Sequence, residues 1–75
     1  MGEEITELDA RGLNCPLPVL KAQKRLKSMP SGARLRVLAT DPKAPGDFAA
    51  FCDAQGHQLI ESAGDSEYTI IIARK

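Results

Sequence analysis

The stretch ARLRVLAT, residues 33–40, alternates Leu35, Val37 and Ala39 with Arg34, Arg36 and Leu38. That period of two belongs to a strand covered on one face only. The segments on either side have a different period. Over 16–29, Val19, Ala22, Leu26 and Met29 recur at three- and four-residue spacing, with Lys21, Lys24, Arg25 and Ser28 on the opposite side. This predicts a helix, stopped by the tripeptide PSG. After a loop TDPKAPGD, residues Phe48, Phe51, Cys52 and Gln55 fall at helical spacing up to Gly56, predicting a short second helix with a glycine terminator. Residues 5–10 read as a first strand with Thr6, Leu8 and Ala10 on one side, and HQLIESA and EYTIIIARK read as a hairpin turned at GDS. Each helix needs an apolar sheet face to cover. The order β-α-β-α-β-β therefore predicts an α/β (α+β) two-layer sandwich, in which a mixed four-stranded sheet carries both helices on one face and leaves the other open to water.

A chain of 75 residues has room for one small core, so 1–75 is expected to be a single domain. With no Trp, one Tyr and two Phe, aliphatic residues such as Leu8, Leu26, Val37, Leu59 and Ile70 must supply most of the buried area. At roughly 25 cal/mol per Å2 of apolar surface, such a core leaves little excess stability. No segment approaches the roughly 18 uninterrupted apolar residues of a membrane span, and MGEEITELD is acidic where a signal peptide would be basic. The expectation is a cytoplasmic protein with Cys15 and Cys52 as free thiols. The zero formal net charge conceals segregation: four acids within 3–9, seven bases and no acid within 11–36, and six acids against Lys43 within 41–67. Overall neutrality argues against a dedicated nucleic-acid binder, while the basic stretch suits an acidic protein partner.

Chemistry concentrates at RGLNCPLPVLKAQKRL. With Cys15 as the N-cap of the first helix, Pro16 is N1 and Pro18 is N3, positions where backbone N–H groups lack intrahelical partners. The prolines remove two donors near the sulfur and leave the N–H groups of Leu17 and Val19. The helix dipole then predicts a slightly lowered thiol pKa. Arg11 and Lys21 are the nearest bases in sequence, and neither is placed by spacing to touch the sulfur. The one histidine, His57, lies beyond the second helix and is expected to be structural, so a cysteine-protease arrangement does not form. The position of a resolving cysteine is occupied by Pro18, which excludes a thioredoxin-like dithiol. No local Cys or His pair has the spacing of a metal site, and no cofactor is expected. A single exposed thiol on a helix terminus suits a group carrier.

The segment LDARGLNCPLPVLKAQKRLKSMPSG, with Cys15-Pro16-Leu17-Pro18 at its centre, closely resembles the TusA/SirA-type sulfur-carrier family, and ATDPKAPGDFAAFCDAQGHQL resembles that family's second half. The resemblance implies a two-layer sandwich in which Cys15 carries sulfur as a persulfide and Pro16, Leu17 and Pro18 shape its platform. It also implies a sulfur donor of the cysteine desulfurase or rhodanese type and an acceptor protein, as in a sulfurtransferase that turns nothing over without them. Uses of such carriers include thiolation of tRNA wobble uridine, molybdenum-cofactor biosynthesis and dissimilatory sulfur oxidation. No direct nucleic-acid or membrane contact is implied, and a monomer is expected.

Several residues carry a plainer expectation. Cys52 shares a helical stripe with Phe48 and Phe51 and should pack as a small hydrophobe. Lys21, Lys24, Arg25 and Lys27 form first of all a solvated face, with docking of a partner by Arg11, Lys21, Lys24 and Arg25 as the functional reading. Asp41 and Asp47 are expected in turn and cap roles beside Pro42 and Gly46. The rival from another class is a small RNA-binding or regulatory module using the basic first helix, supported by fold analogy alone.

Overall fold

The alternating stretch becomes one of the two central strands. The structure, a computed structural model, describes residues 5–75 and contains β1 (Ile5–Ala10), α1 (Leu17–Lys27), β2 (Arg34–Ala39), α2 (Ala44–Gln55), β3 (Gln58–Ala63) and β4 (Tyr68–Ala73). The sheet order is β1-β2-β4-β3. β1 pairs parallel with β2, while β4 runs antiparallel to both β2 and β3. This is the expected mixed four-stranded α+β sandwich.

Register aligns the apolar residues in rows across the sheet. Leu8, Val37 and Ile70 form one row, and Thr6, Leu35, Ile72 and Leu59 the next. Leu35, Val37, Ala39, Ile70 and Ile72 are wholly buried beneath Ala22, Leu26, Phe48 and Cys52 of the two helices. α1 covers β1 and β2, and α2 covers β3 and β4. On the other face Arg36 meets Glu7 directly across the β1–β2 pair at 3.5 Å. Edge strand β3 carries an irregularity between Leu59 and Glu61, which interrupts a ladder edge otherwise available to another chain.

Two boundaries differ from the sequence expectation. α2 begins at Ala44, so Pro45 and Gly46 lie inside its first turn and not in the loop; proline there displaces no intrahelical hydrogen bond. α1 starts after an N-cap at Pro16, which places Pro18 at N2, not N3, and Cys15 outside the helix. Pro18 is buried, a packing role that helical spacing did not single out. Leu8 and Leu59, expected in the core, are only partly buried against it. Gly56 ends α2 in the left-handed region with φ 81°, its N–H donating to the Cys52 carbonyl at 2.8 Å.

Phe48 is the largest fully buried side chain, so Phe48→Ala should cost about 3–5 kcal/mol in denaturant unfolding. A Cβ at Gly64, φ +117°, would stand 2.1 Å from the Glu67 carbonyl oxygen, whereas one at Gly32, φ +86°, would meet nothing within 4 Å. Gly64→Ala is therefore expected to lower the unfolding midpoint more than Gly32→Ala. Equal shifts would contradict the tight hairpin turn.

Candidate functional site

Parallel pairing sends the chain out of β1 and β2 at the same edge of the sheet, so the two following loops lie side by side. They are fastened together. The Gly12 N–H donates to Thr40 Oγ1 at 2.9 Å, and the Cys15 N–H donates to Asp41 Oδ2. Asp41 Oδ1 accepts the Lys43 N–H at 3.0 Å, so one carboxylate holds the cysteine loop and the start of α2 at once. These two N–H groups bind its ionised form and lower the Asp41 pKa. The expected turn role of Asp41 is thus present, with a second function that local spacing did not reveal.

Cys15 is exposed at the rim of an open depression of about 390 Å3, lined by Pro16, Val19, Asp47, Ala50 and Phe51. Leu17 and Leu20, 47% and 51% exposed, add apolar surface on the neighbouring turn of α1. The Cys15–Pro16 peptide is cis. The Leu17 N–H donates back to the Asn14 carbonyl at 2.8 Å, so it is not offered to the sulfur as expected from sequence.

The thiol is correspondingly not activated. Its pKa lies above the ordinary value, chiefly because the neighbouring Asp47 carboxylate favours the protonated thiol; partial desolvation and the charge of Asp41 add to the shift, and Lys43 opposes it. The expected lowering by the helix dipole is overturned by two facts: Cys15 precedes the N-cap, and a carboxylate faces it. A carboxylate repels the thiolate and hydrogen-bonds the thiol, and both effects favour the protonated form.

The other singled-out residues are dispersed. Arg11 is bound to Asp9 at 2.9 and 3.0 Å and to Glu67 at 3.5 Å, and its hydrogen bonds hold the Asp9 carboxyl down to about 2. Lys21, Lys24 and Arg25 line a separate groove with Leu8 and Ser28. His57 accepts the Lys75 N–H on Nδ1 at 3.0 Å and lies against Phe51, ring centres 5.5 Å apart. Burial pushes its pKa down, with Arg74 and Lys75 adding to the effect. It lines a different depression from Cys15. Cys52 is 2% exposed within the core, and burial raises its pKa. Among the described residues no His, Cys, Asp and Glu group is arranged to hold a metal ion, and no helix is long and apolar enough to cross a membrane. Sequence reasoning missed Asp47, Ala50 and Phe51 as neighbours of the thiol; they come from the second helix, and no local pattern links them to Cys15.

Iodoacetamide should alkylate Cys15 in the native protein to completion before Cys52 reacts measurably. Asp47→Asn should speed the Cys15 reaction near neutral pH and move its rising limb to lower pH, because removing the carboxylate frees the thiolate. An unchanged profile would show that Asp47 does not act on the sulfur.

Comparison with known proteins gives a consistent result. Residues 6–74 match the family described as Sulfurtransferase TusA. The sulfur carrier protein TusA of Allochromatium vinosum is 57% identical over 56 residues, covering 75% of this chain and 74% of that protein. The protein of the same description from Pseudomonas syringae is 40% identical over 70 residues, covering 92% and 83%. The fold matches the crystal structure of a SirA-like protein from Desulfitobacterium hafniense with a TM-score of 0.78 and 25% identity, over 93% of this chain and 96% of that one. By the match along nearly its whole length, the chain belongs to the Sulfurtransferase TusA family.

Proposed function

We propose that this protein is a sulfur carrier in which Cys15 receives sulfur as a persulfide from a donor protein of the cysteine desulfurase or rhodanese type and relays it to an acceptor protein. The observation that carries the reading is the placement of Cys15. It is exposed outside the helix, on a loop held by Gly12–Thr40 and Cys15–Asp41 hydrogen bonds, at the rim of an apolar depression. Membership of the TusA family and relatives described as sulfur carriers support it. The Cys15 thiolate attacks the outer sulfur of a donor persulfide and the donor thiolate leaves; an acceptor thiolate later takes that sulfur from Cys15 in the same way. Pro16, Leu17 and Pro18 form the platform, with Pro18 buried and Leu17 exposed. The proposal includes a cytoplasmic location and a single carrier domain spanning the chain.

Lys21, Lys24 and Arg25 sit together beside Leu8 and suit an acidic surface on a donor or acceptor. Arg11, paired with Asp9 and Glu67, has less free charge to offer a partner.

Incubation with a cysteine desulfurase and free cysteine should add one sulfur atom to the intact mass, and Cys15→Ser should abolish the gain. Undiminished loading in that variant would end the assignment. Charge reversal at Lys21, Lys24 and Arg25 should raise the donor KM with little change in kcat, and wild-type loading should weaken with added salt.

A further inference from the structure

Asp47 has no part in the sulfur-transfer steps just described, yet it lines the same depression as Cys15. It is not free to drift away. Asp47 lies in the first turn of α2, its N–H donates to the Lys43 carbonyl at 3.0 Å, and the adjacent Phe48 is wholly buried. On the other side of the depression, Cys15 is tied through its N–H to Asp41. Sulfur and carboxylate are therefore held from two elements that are themselves fastened together.

We propose that Asp47 sets this carrier for release: its carboxylate favours the sulfur-free Cys15 thiol over the sulfur-loaded form and so drives the sulfur onward to the acceptor. The inference rests on the persulfide reading of Cys15 and adds to it the residue that tunes how tightly sulfur is held.

The argument is one of charge. In transfer from a low-molecular-weight persulfide, the Cys15 thiolate attacks the outer sulfur. A new sulfur–sulfur bond forms, the donor's sulfur–sulfur bond breaks, and the donor leaves as a thiolate that takes up the proton Cys15 gave away. One thiol and one persulfide yield one persulfide and one thiol, with no net oxidation. A persulfide is a stronger acid than its parent thiol, since the second sulfur shares the negative charge. Near neutral pH the free Cys15 is thus a neutral thiol in the depression that Asp47 also lines. The loaded cysteine is an anion that has lost this proton and faces the same carboxylate. Like charges at close range disfavour the anion. The groups acting on this sulfur are Asp47 from α2, Asp41 from the loop before it, and Lys43 as the opposing cation, so the local balance is against holding a negative sulfur.

The test is the equilibrium constant for loading by glutathione persulfide, read by intact mass in wild type, Asp47→Asn, Asp47→Glu and Cys15→Ser. Near neutrality, Asp47→Asn should shift the equilibrium toward the loaded form by roughly threefold or more, the size expected of one neighbouring exposed charge. Asp47→Glu should stay near wild type. The distinguishing signature is pH dependence: as the pH rises through the thiol's own pKa, both forms become anionic, the carboxylate penalises them alike, and the two proteins should converge. Equal constants for wild type and Asp47→Asn at every pH would overturn the inference and leave the carrier reading standing, as would a difference that persists unchanged at high pH or fails to be rescued by Asp47→Glu. Wild-type protein that takes up no sulfur on Cys15 would instead remove the carrier reading itself.

Discussion

Because β1 and β2 run parallel and in register from Ile5 opposite Arg34 to Ala10 opposite Ala39, both strands deliver the chain to the same edge of the sheet. The loop that carries Cys15 must then lie against the loop that opens α2. An antiparallel pairing would have sent the two loops to opposite ends. Once adjacent, their exposed polar groups find one another, and Asp41 joins the Cys15 and Lys43 N–H groups in one carboxylate. The position of the thiol therefore depends on strand pairing first and on local helix chemistry second.

The charge pattern acquires meaning only on this framework. Formal neutrality resolves into an acidic neighbourhood at the sulfur, made by Asp41 and Asp47, and a basic groove formed by Lys21, Lys24 and Arg25 on the outer side of α1. A basic surface steers an acidic partner toward the molecule, and steering of this kind acts on encounter and not on the bond being made. The acidic groups act on the reacting atom itself. The two come from different elements, the bases from α1 and the acids from α2 and the loop before it.

Much of the fold was legible because its causes are local. Alternation at 33–40 located β2 and its buried face, the stripe from Val19 to Met29 located α1, and Phe48 with Cys52 marked the buried side of α2. Leu26, Val37 and Ile70 entered the core as their spacing required. The misses are equally physical. The prolines at 16 and 18 suggested a helix starting at Pro16 with Cys15 as its cap, whereas the Leu17 N–H closes a turn on Asn14 and the helix starts one residue later, at Leu17. Pro45 and Gly46, punctuation in most contexts, proved to be first-turn residues of α2. The expected sign of the thiol pKa shift failed because it considered the dipole of one helix and no charge from the other.

The order of elements, the buried faces and an exposed cysteine ahead of the first helix were determined by the amino-acid sequence alone, since periodicity, glycine and proline act over a few residues. Tertiary structure decided what surrounds that cysteine. Asp41, 26 residues away, meets the Cys15 N–H, and Asp47, on the second helix, shares the depression with Cys15, only because strand pairing and helix packing bring distant segments together. The electrostatic field at a reactive atom sums over neighbours in space, and sequence spacing carries no record of them.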